Sequence, residues 1–192
     1  MDTEPWTAPV AGPGPGPAPH LPDPGDDLSL ILSQRRAGHQ DIVNVDAASV
    51  QMVIFVIGGQ SFALPGAQVA EILPLAPIFL VPGCPPAVEG VMDVRGNIRG
   101  VLRLGDLLGV AHDPPTRHTV ILLGRVGDQE CGLRVDRIAD VSPVLLESLL
   151  APPDSLPDRL QGLVTGVFQY PTGPVLTLDM ERIFQAWEGG RL

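Results

Sequence analysis

The chain has 192 residues, 44% of them apolar and 18% charged, with a formal net charge of −10. That length fits one domain with a tail, or one domain made of two small lobes, and is enough to bury a substantial core. The acidic balance argues against a nucleic-acid partner, which calls for a basic stripe along phosphates, and against adhesion to an anionic membrane surface.

Twelve of the first 25 positions are Pro or Gly. Such a segment cannot bury enough apolar surface to offset its ordering entropy, so it is expected to be disordered. Its start is acidic and lacks a signal peptide's apolar run, and nowhere does an apolar stretch approach the roughly 20 residues that span a bilayer. A cytoplasmic protein without membrane insertion is expected. Residues 26–37, DDLSLILSQRRA, open on two acids and close on two arginines before Gly38, which predicts a short helix matched to the helix dipole. Residues 38–49 read as linker, so residues 1–49 form a tail and the ordered domain covers 50–187.

The run MVIFVI is apolar and β-branched, and Gly58-Gly59 after it offers the positive φ angles of a tight hairpin. A short strand, QSFAL, and then VAEIL follow, with Val69, Ile72 and Leu73 around Glu71. Five prolines between residues 74 and 86 exclude regular structure until about Val88. From residue 95 to 104, alternation predicts a strand with Ile98, Leu102 and Leu104 on one face and Arg95, Asn97, Arg99 and Arg103 on the other. One helical turn, Asp106 to Leu108, should close the unit before Gly109.

The same order then recurs. TVILLGRVGDQECGL repeats MVIFVIGGQSFAL, and VDRIADV repeats GAQVAEI with Ile138 for Val69 and Asp140 for Glu71. VTGVF answers VEGVM, and PVLTLDMERIF answers GVLRLGDLLG, which makes Leu102 and Leu176 equivalent buried positions. A five-strand unit of this size is too small to close a good core alone, whereas two packed together can. The fold class expected is all-β: two small, five-stranded, SH3-like or OB-like barrels related by pseudo-two-fold symmetry, with short helices. Cys84 and Cys131 do not make a disulfide framework or a zinc site, and both are expected to be buried small hydrophobes.

From about Gln51 to Trp187 the chain resembles the CheW-like coupling domain of bacterial chemotaxis systems. The pieces that carry the resemblance are VIFVIGGQSFALPGAQVAEIL, VPGCPPAVEGVMDVRGNIRGVLRLGDLLG, ECGLRVDRIADV, LLAPPDSL and GLVTGVFQYPTGPVLTLDMERIF. It implies two interleaved β-barrel lobes and no active site, metal or cofactor. It also implies an adaptor that bridges the cytoplasmic tips of chemoreceptors to the regulatory domain of a CheA-type histidine kinase. Asp93-Val94-Arg95-Gly96 corresponds to the family's Asn-Leu-Arg-Gly motif, with Asp in place of Asn, and Arg95 is expected to project into a groove between the barrels. Val69, Glu71 and Gly90 align with family positions tied to receptor and kinase coupling. The family's proline is Gly100 here, and its Asp-Leu pair is Arg103-Leu104. Those departures fit a divergent or non-motility signalling system, for instance one driving pili.

Blander readings stand beside these. A row of arginines on a strand is ordinarily solvated edge protection. Val69 and Val94 suit core or groove lining, and Glu71 suits an exposed pair with an arginine, a contact of about 0–1 kcal/mol. Catalysis has little support, because the sequence holds no nucleophile elbow, Gly-rich phosphate loop or zinc-protease signature. A small-molecule-binding barrel is the other rival, and an aromatic content of 4% leaves little to stack on a ligand.

Overall fold

The computed structural model describes residues 48–111 and 114–188. The tail and its expected helix at 26–37 lie outside the described residues. Among the described residues, ten strands form two five-stranded sheets. In chain order these strands are β1 (Ser49–Ile57), β2 (Gln60–Pro65), β3 (Val69–Pro74), β4 (Val88–Val94), β5 (Asn97–Arg103), β6 (Val120–Val126), β7 (Gln129–Val135), β8 (Arg137–Leu145), β9 (Val164–Tyr170) and β10 (Gly173–Leu178). The short α-helices among the described residues are α1 (Leu104–Leu108), α2 (Asp158–Gln161) and α3 (Met180–Glu188). Gly109, left-handed at φ +68°, stops α1 as the sequence predicts.

The strand orders are β8-β1-β2-β10-β9 and β3-β6-β7-β5-β4. Replacing each strand of one repeat by its counterpart in the other turns one order into the other, so the duplication is complete at the level of topology. The barrel, however, is not the repeat. Each repeat gives its opening hairpin to one barrel and its last three strands to the other. Barrel A holds β1, β2, β8, β9 and β10; barrel B holds β3 to β7. Both close by an isolated bridge between their edges, Leu150 to Val167 in barrel A and Phe79 to Val91 in barrel B.

Interleaving explains the continuously apolar strands. Met52 and Ile54 of β1 face the interior of barrel A, with Ala63, Val144, Phe168 and Val175. Their neighbours Val53, Phe55 and Ile57 face the other way, into a shared layer with Leu102, Leu122, Leu133, Leu178 and Ile183. Ile121 and Leu123 line the interior of barrel B, where they meet Met92, Val94 and Val101. Alternate residues are therefore buried on opposite sides, and no polar face is needed.

The structure corrects four readings of the sequence. The first concerns the segment expected as one strand from residue 95. It begins instead as a two-residue hairpin turn, Arg95-Gly96, between paired Val94 and Asn97. Arg95 (φ +53°) and Gly96 (φ +83°) both adopt the left-handed region that such a turn requires. Second, Ile98 is exposed rather than buried. Third, the equivalence of Leu102 and Leu176 is shifted by two residues: Leu102 pairs with Val88 as Leu178 pairs with Val164, and Leu176 is only half-buried. Fourth, Cys84 is exposed. Cys131 is buried, and desolvation pushes its thiol up to about 12, which leaves it an inert hydrophobe.

Candidate partner-binding faces

The seven residues nominated from the sequence gather at one edge of barrel B, on β3, β4 and the β4–β5 turn. Val69 and Glu71 lie on either side of a bulge in β3, where the chain crosses from barrel A to barrel B. Val69 packs on the layer between the barrels. Val94 is buried inside barrel B. Asp93 accepts a hydrogen bond from the Gly96 amide at 2.7 Å, which holds the turn in shape.

Arg95 stands on the β4–β5 turn rather than within a strand. Its guanidinium spans the seam between the edge strands β4 and β3 and donates to Glu71 Oε1 at 2.6 Å. The Arg95 side chain is 77% exposed against 30% for Glu71, so the pair lies on the surface with the cation outermost. Barrel A repeats the arrangement with different chemistry. Tyr170 donates its hydroxyl to Asp140 Oδ2, and Asp140 is the counterpart of Glu71. That bond, the backbone amide of Val141 and the Ser142 side chain hold the Asp140 carboxyl below its usual range, and Asp140 in turn raises the Tyr170 phenol. A carboxylate on the third strand of each repeat thus straps the seam of its barrel.

Gly90 has a steric reason for being glycine. Its φ is +150°, and a Cβ there would stand 2.3 Å from the Phe79 carbonyl oxygen, the backbone that closes barrel B. At its counterpart Gly166 a Cβ would stand 3.0 Å from the Leu150 carbonyl oxygen. The arginines of β5 also differ from expectation, since β5 lies inside the sheet order and is not an edge. Arg99 pairs with Glu130 on β7 at 3.0 Å, and Arg103 with Asp106 on α1 at 3.5 Å.

Sequence reading missed the apolar surface beside these straps. Phe79 and Leu80, on the segment that closes barrel B, are 64% and 76% exposed, with Val81 next to them. The ladder Phe79–Val91–Gly100 and the neighbouring pair Asp93–Ile98 put Phe79, Val91 and exposed Ile98 on one face. Barrel A carries the equivalent. Leu150 and Leu146 are 61% and 50% exposed, and Leu150 ladders with Val167 and Leu176. Exposed apolar side chains in contiguous runs mark protein interaction sites. The duplication could have revealed this, because LAPIFL and LESLLA both put large apolar residues between prolines where no core strand was expected.

A half-open cavity of about 1010 Å³ lies between α1, α2 and α3. Asp106, Asp158, Arg159, Arg182 and Gln185 contribute its polar wall, and none of the nominated residues lines it.

Known proteins match this architecture. The model of the CheW-like domain covers residues 51–188. The chain belongs to the CheW-like domain family. A probable chemotaxis protein CheW of Rhizobium etli is 26% identical over 138 residues, 72% of this chain and 89% of its own. A protein named PilI of Pseudomonas aeruginosa is 32% identical over 116 residues, 59% of this chain and 64% of its own. The crystal structure of the scaffolding protein CheW of Thermoanaerobacter tengcongensis shares the fold, with a TM-score of 0.62 at 22% identity over 68% of this chain and 89% of that one. As a member of the CheW-like family the chain is an adaptor of chemotaxis-type signalling. No helix among the described residues is long and apolar enough to cross a membrane.

Proposed function

We propose that this CheW-like chain works in the cytoplasm as a non-enzymatic bridge between the tip of a chemoreceptor and the regulatory domain of a CheA-type histidine kinase. The observation that carries the reading is the doubled apolar face. An adaptor needs two docking surfaces held in fixed relation, and the duplication supplies one on each barrel, Phe79–Leu80 and Leu146–Leu150. Beside the first, the Glu71–Arg95 pair offers an exposed guanidinium whose remaining donors are aimed outward, suited to a carboxylate or to helix-end carbonyls on a partner. Val69, Gly90, Asp93, Val94 and Gly96 act in this reading through shape: they place the strand, the closing segment and the turn.

Calorimetry with a receptor tip and with the kinase regulatory domain tests the proposal. Leu80→Glu is expected to weaken one partner at least tenfold, about 1.4 kcal/mol, and to spare the other. Leu146→Glu should show the reverse pattern. Arg95→Ala should weaken the partner affected by Leu80→Glu by a similar factor while its melt stays that of the wild type, because the side chain lies outside the core. Wild-type binding of both partners by all three variants would refute the bridge. A second reading, an adaptor whose output is pili rather than swimming, is favoured by the similarity to PilI. Which kinase the protein captures separates the two.

A further inference from the structure

Side-chain hydrogen bonds hold the crossover from barrel A to barrel B. Between β2 of barrel A and β3 of barrel B the chain makes a single 3-10 turn, Gly66–Gln68. At its end the Gln68 amide nitrogen donates to Asp179 Oδ2 at 2.6 Å, and the Gln68 amide oxygen accepts from the Met180 backbone at 3.0 Å. Asp179 uses its other oxygen to accept from the Arg182 backbone at 3.1 Å, which caps α3. The start of α3 leaves barrel A here and enters barrel B. Met180 is fully buried and lies on Gly124 of β6, where a Cβ would stand 2.1 Å from the methionine methyl. Gly124 in turn pairs with Val69, the residue after Gln68. One node therefore ties the crossover, the first strand of barrel B and the last helix.

The pseudo-two-fold axis generates an equivalent node, and its chemistry is different. Arg137 stands where Gln68 does, Arg103 where Asp179 does, and Phe55 where Gly124 does, by the register of both sheets. Two cations cannot make the bond that Gln68 and Asp179 make, and Arg103 turns instead to Asp106. Phe55 and Leu104, the counterparts of Gly124 and Met180, are both fully buried in the layer between the barrels. The second crossover is held by a different set of bonds: Asp136, between β7 and β8, accepts from the Gly58 amide at 2.7 Å and donates its own amide to the Val56 carbonyl at 3.0 Å.

We propose that Gln68 and Asp179 are positioning residues, a lock that sets the angle between the barrels and hence the spacing of the two docking faces. The consequence for signalling rests on the adaptor reading above; the lock itself does not. Losing it should leave each face intact and impair simultaneous use of both.

The test uses the full chain with three changes. Gln68→Glu sets carboxylate against carboxylate. Gln68→Met removes both bonds at similar volume. Gln68→Glu with Asp179→Asn restores them, because the Asn amide donates to the new carboxylate while Met180 and Arg182 keep their acceptors. Spin labels on the exposed turns at Asp128 and Thr172, with Cys84 replaced by Ser, report the distance between the barrels. We expect a broadened distance distribution in both single variants and the wild-type distribution in the double variant. Affinities for each partner alone should stay within about twofold, while the cooperative three-component assembly weakens about five- to tenfold and recovers in the double variant. A wild-type distance distribution in Gln68→Glu and Gln68→Met overturns the lock. So does equal loss of every affinity together with a lowered melt, which would mark the pair as ordinary fold support. Failure of the wild type to bind either partner would sink the adaptor reading and leave the distance measurement to judge the lock.

Discussion

Tyr170 and Asp140 make the seam of barrel A sensitive to pH in a direction opposite at its two ends. The depressed Asp140 carboxyl stabilises the folded state above its ordinary titration range, and this contribution is lost as pH falls through the lowered value. The raised Tyr170 phenol contributes below its ordinary value of about 10 and ceases to do so as pH rises through the raised one. Because the Tyr170 bond is the largest cause of the Asp140 shift, Tyr170→Phe should move the Asp140 titration midpoint upward toward the usual carboxylate range. A carboxyl-carbon NMR titration reads this directly, and an unmoved midpoint would deny the bond. Barrel B has an ionic strap in the same place, so added salt should loosen the Glu71–Arg95 contact more than the Tyr170–Asp140 one. At this scale the sequence was half legible. Glu71 and Arg95 were both singled out, but that each is the other's partner was not, because 24 positions separate them and only barrel closure brings them together.

Among the elements, the hairpins were the most legible. Gly58-Gly59 and the turn after Val126 dictate their own geometry, and the two strand pairs around them match residue for residue, Ile57 with Gln60 and Val126 with Gln129. Strand β5 was read less well for a local reason. Arg95 carries no sign of a positive φ, so alternation was counted from inside a turn, and Ile98 was assigned to the core although it stands on an exposed apolar face. The β10 register slipped because PVLTL and VLRLG match equally well at two offsets of an alternating pattern, and the true one is fixed by the shared bulges at Glu89 and Thr165 and by the parallel pairs Val101–Gly132 and Thr177–Ala63. The difference is measurable. Leu178→Ala and Leu102→Ala should each cost about 2–5 kcal/mol in urea melts, as truncations of fully buried leucines do, whereas half-buried Leu176→Ala should cost distinctly less. Equal losses at 176 and 178 would contradict this register.

For the whole molecule, the duplication was visible in the order of elements, and interleaved lobes follow from the family resemblance. Neither indicates which strands change places. That follows from the parallel pairs β2–β10 and β5–β7, which join strands of different repeats and are invisible to any local pattern. Their consequence is that no half of the chain owns a barrel. Residues 48–113 contain β1 and β2 without the three strands that complete barrel A, and β3 to β5 without the hairpin that completes barrel B. Each half also exposes its share of the layer between the barrels, where Phe55 and Leu64 of the first repeat meet Leu133 and Leu178 of the second. A fragment that lacks the other side of every sheet cannot cover its unfolded apolar surface, and units of this size are marginal even when complete. We therefore expect residues 48–113 and 114–192, expressed separately, to give no cooperative thermal transition. Mixing them should restore one, with an amide spectrum close to that of the intact chain and a midpoint that rises with fragment concentration. A cooperative melt from either fragment alone would show that a single repeat can close a barrel by itself, and the strand exchange would then be a feature of the fused chain rather than a requirement of its fold.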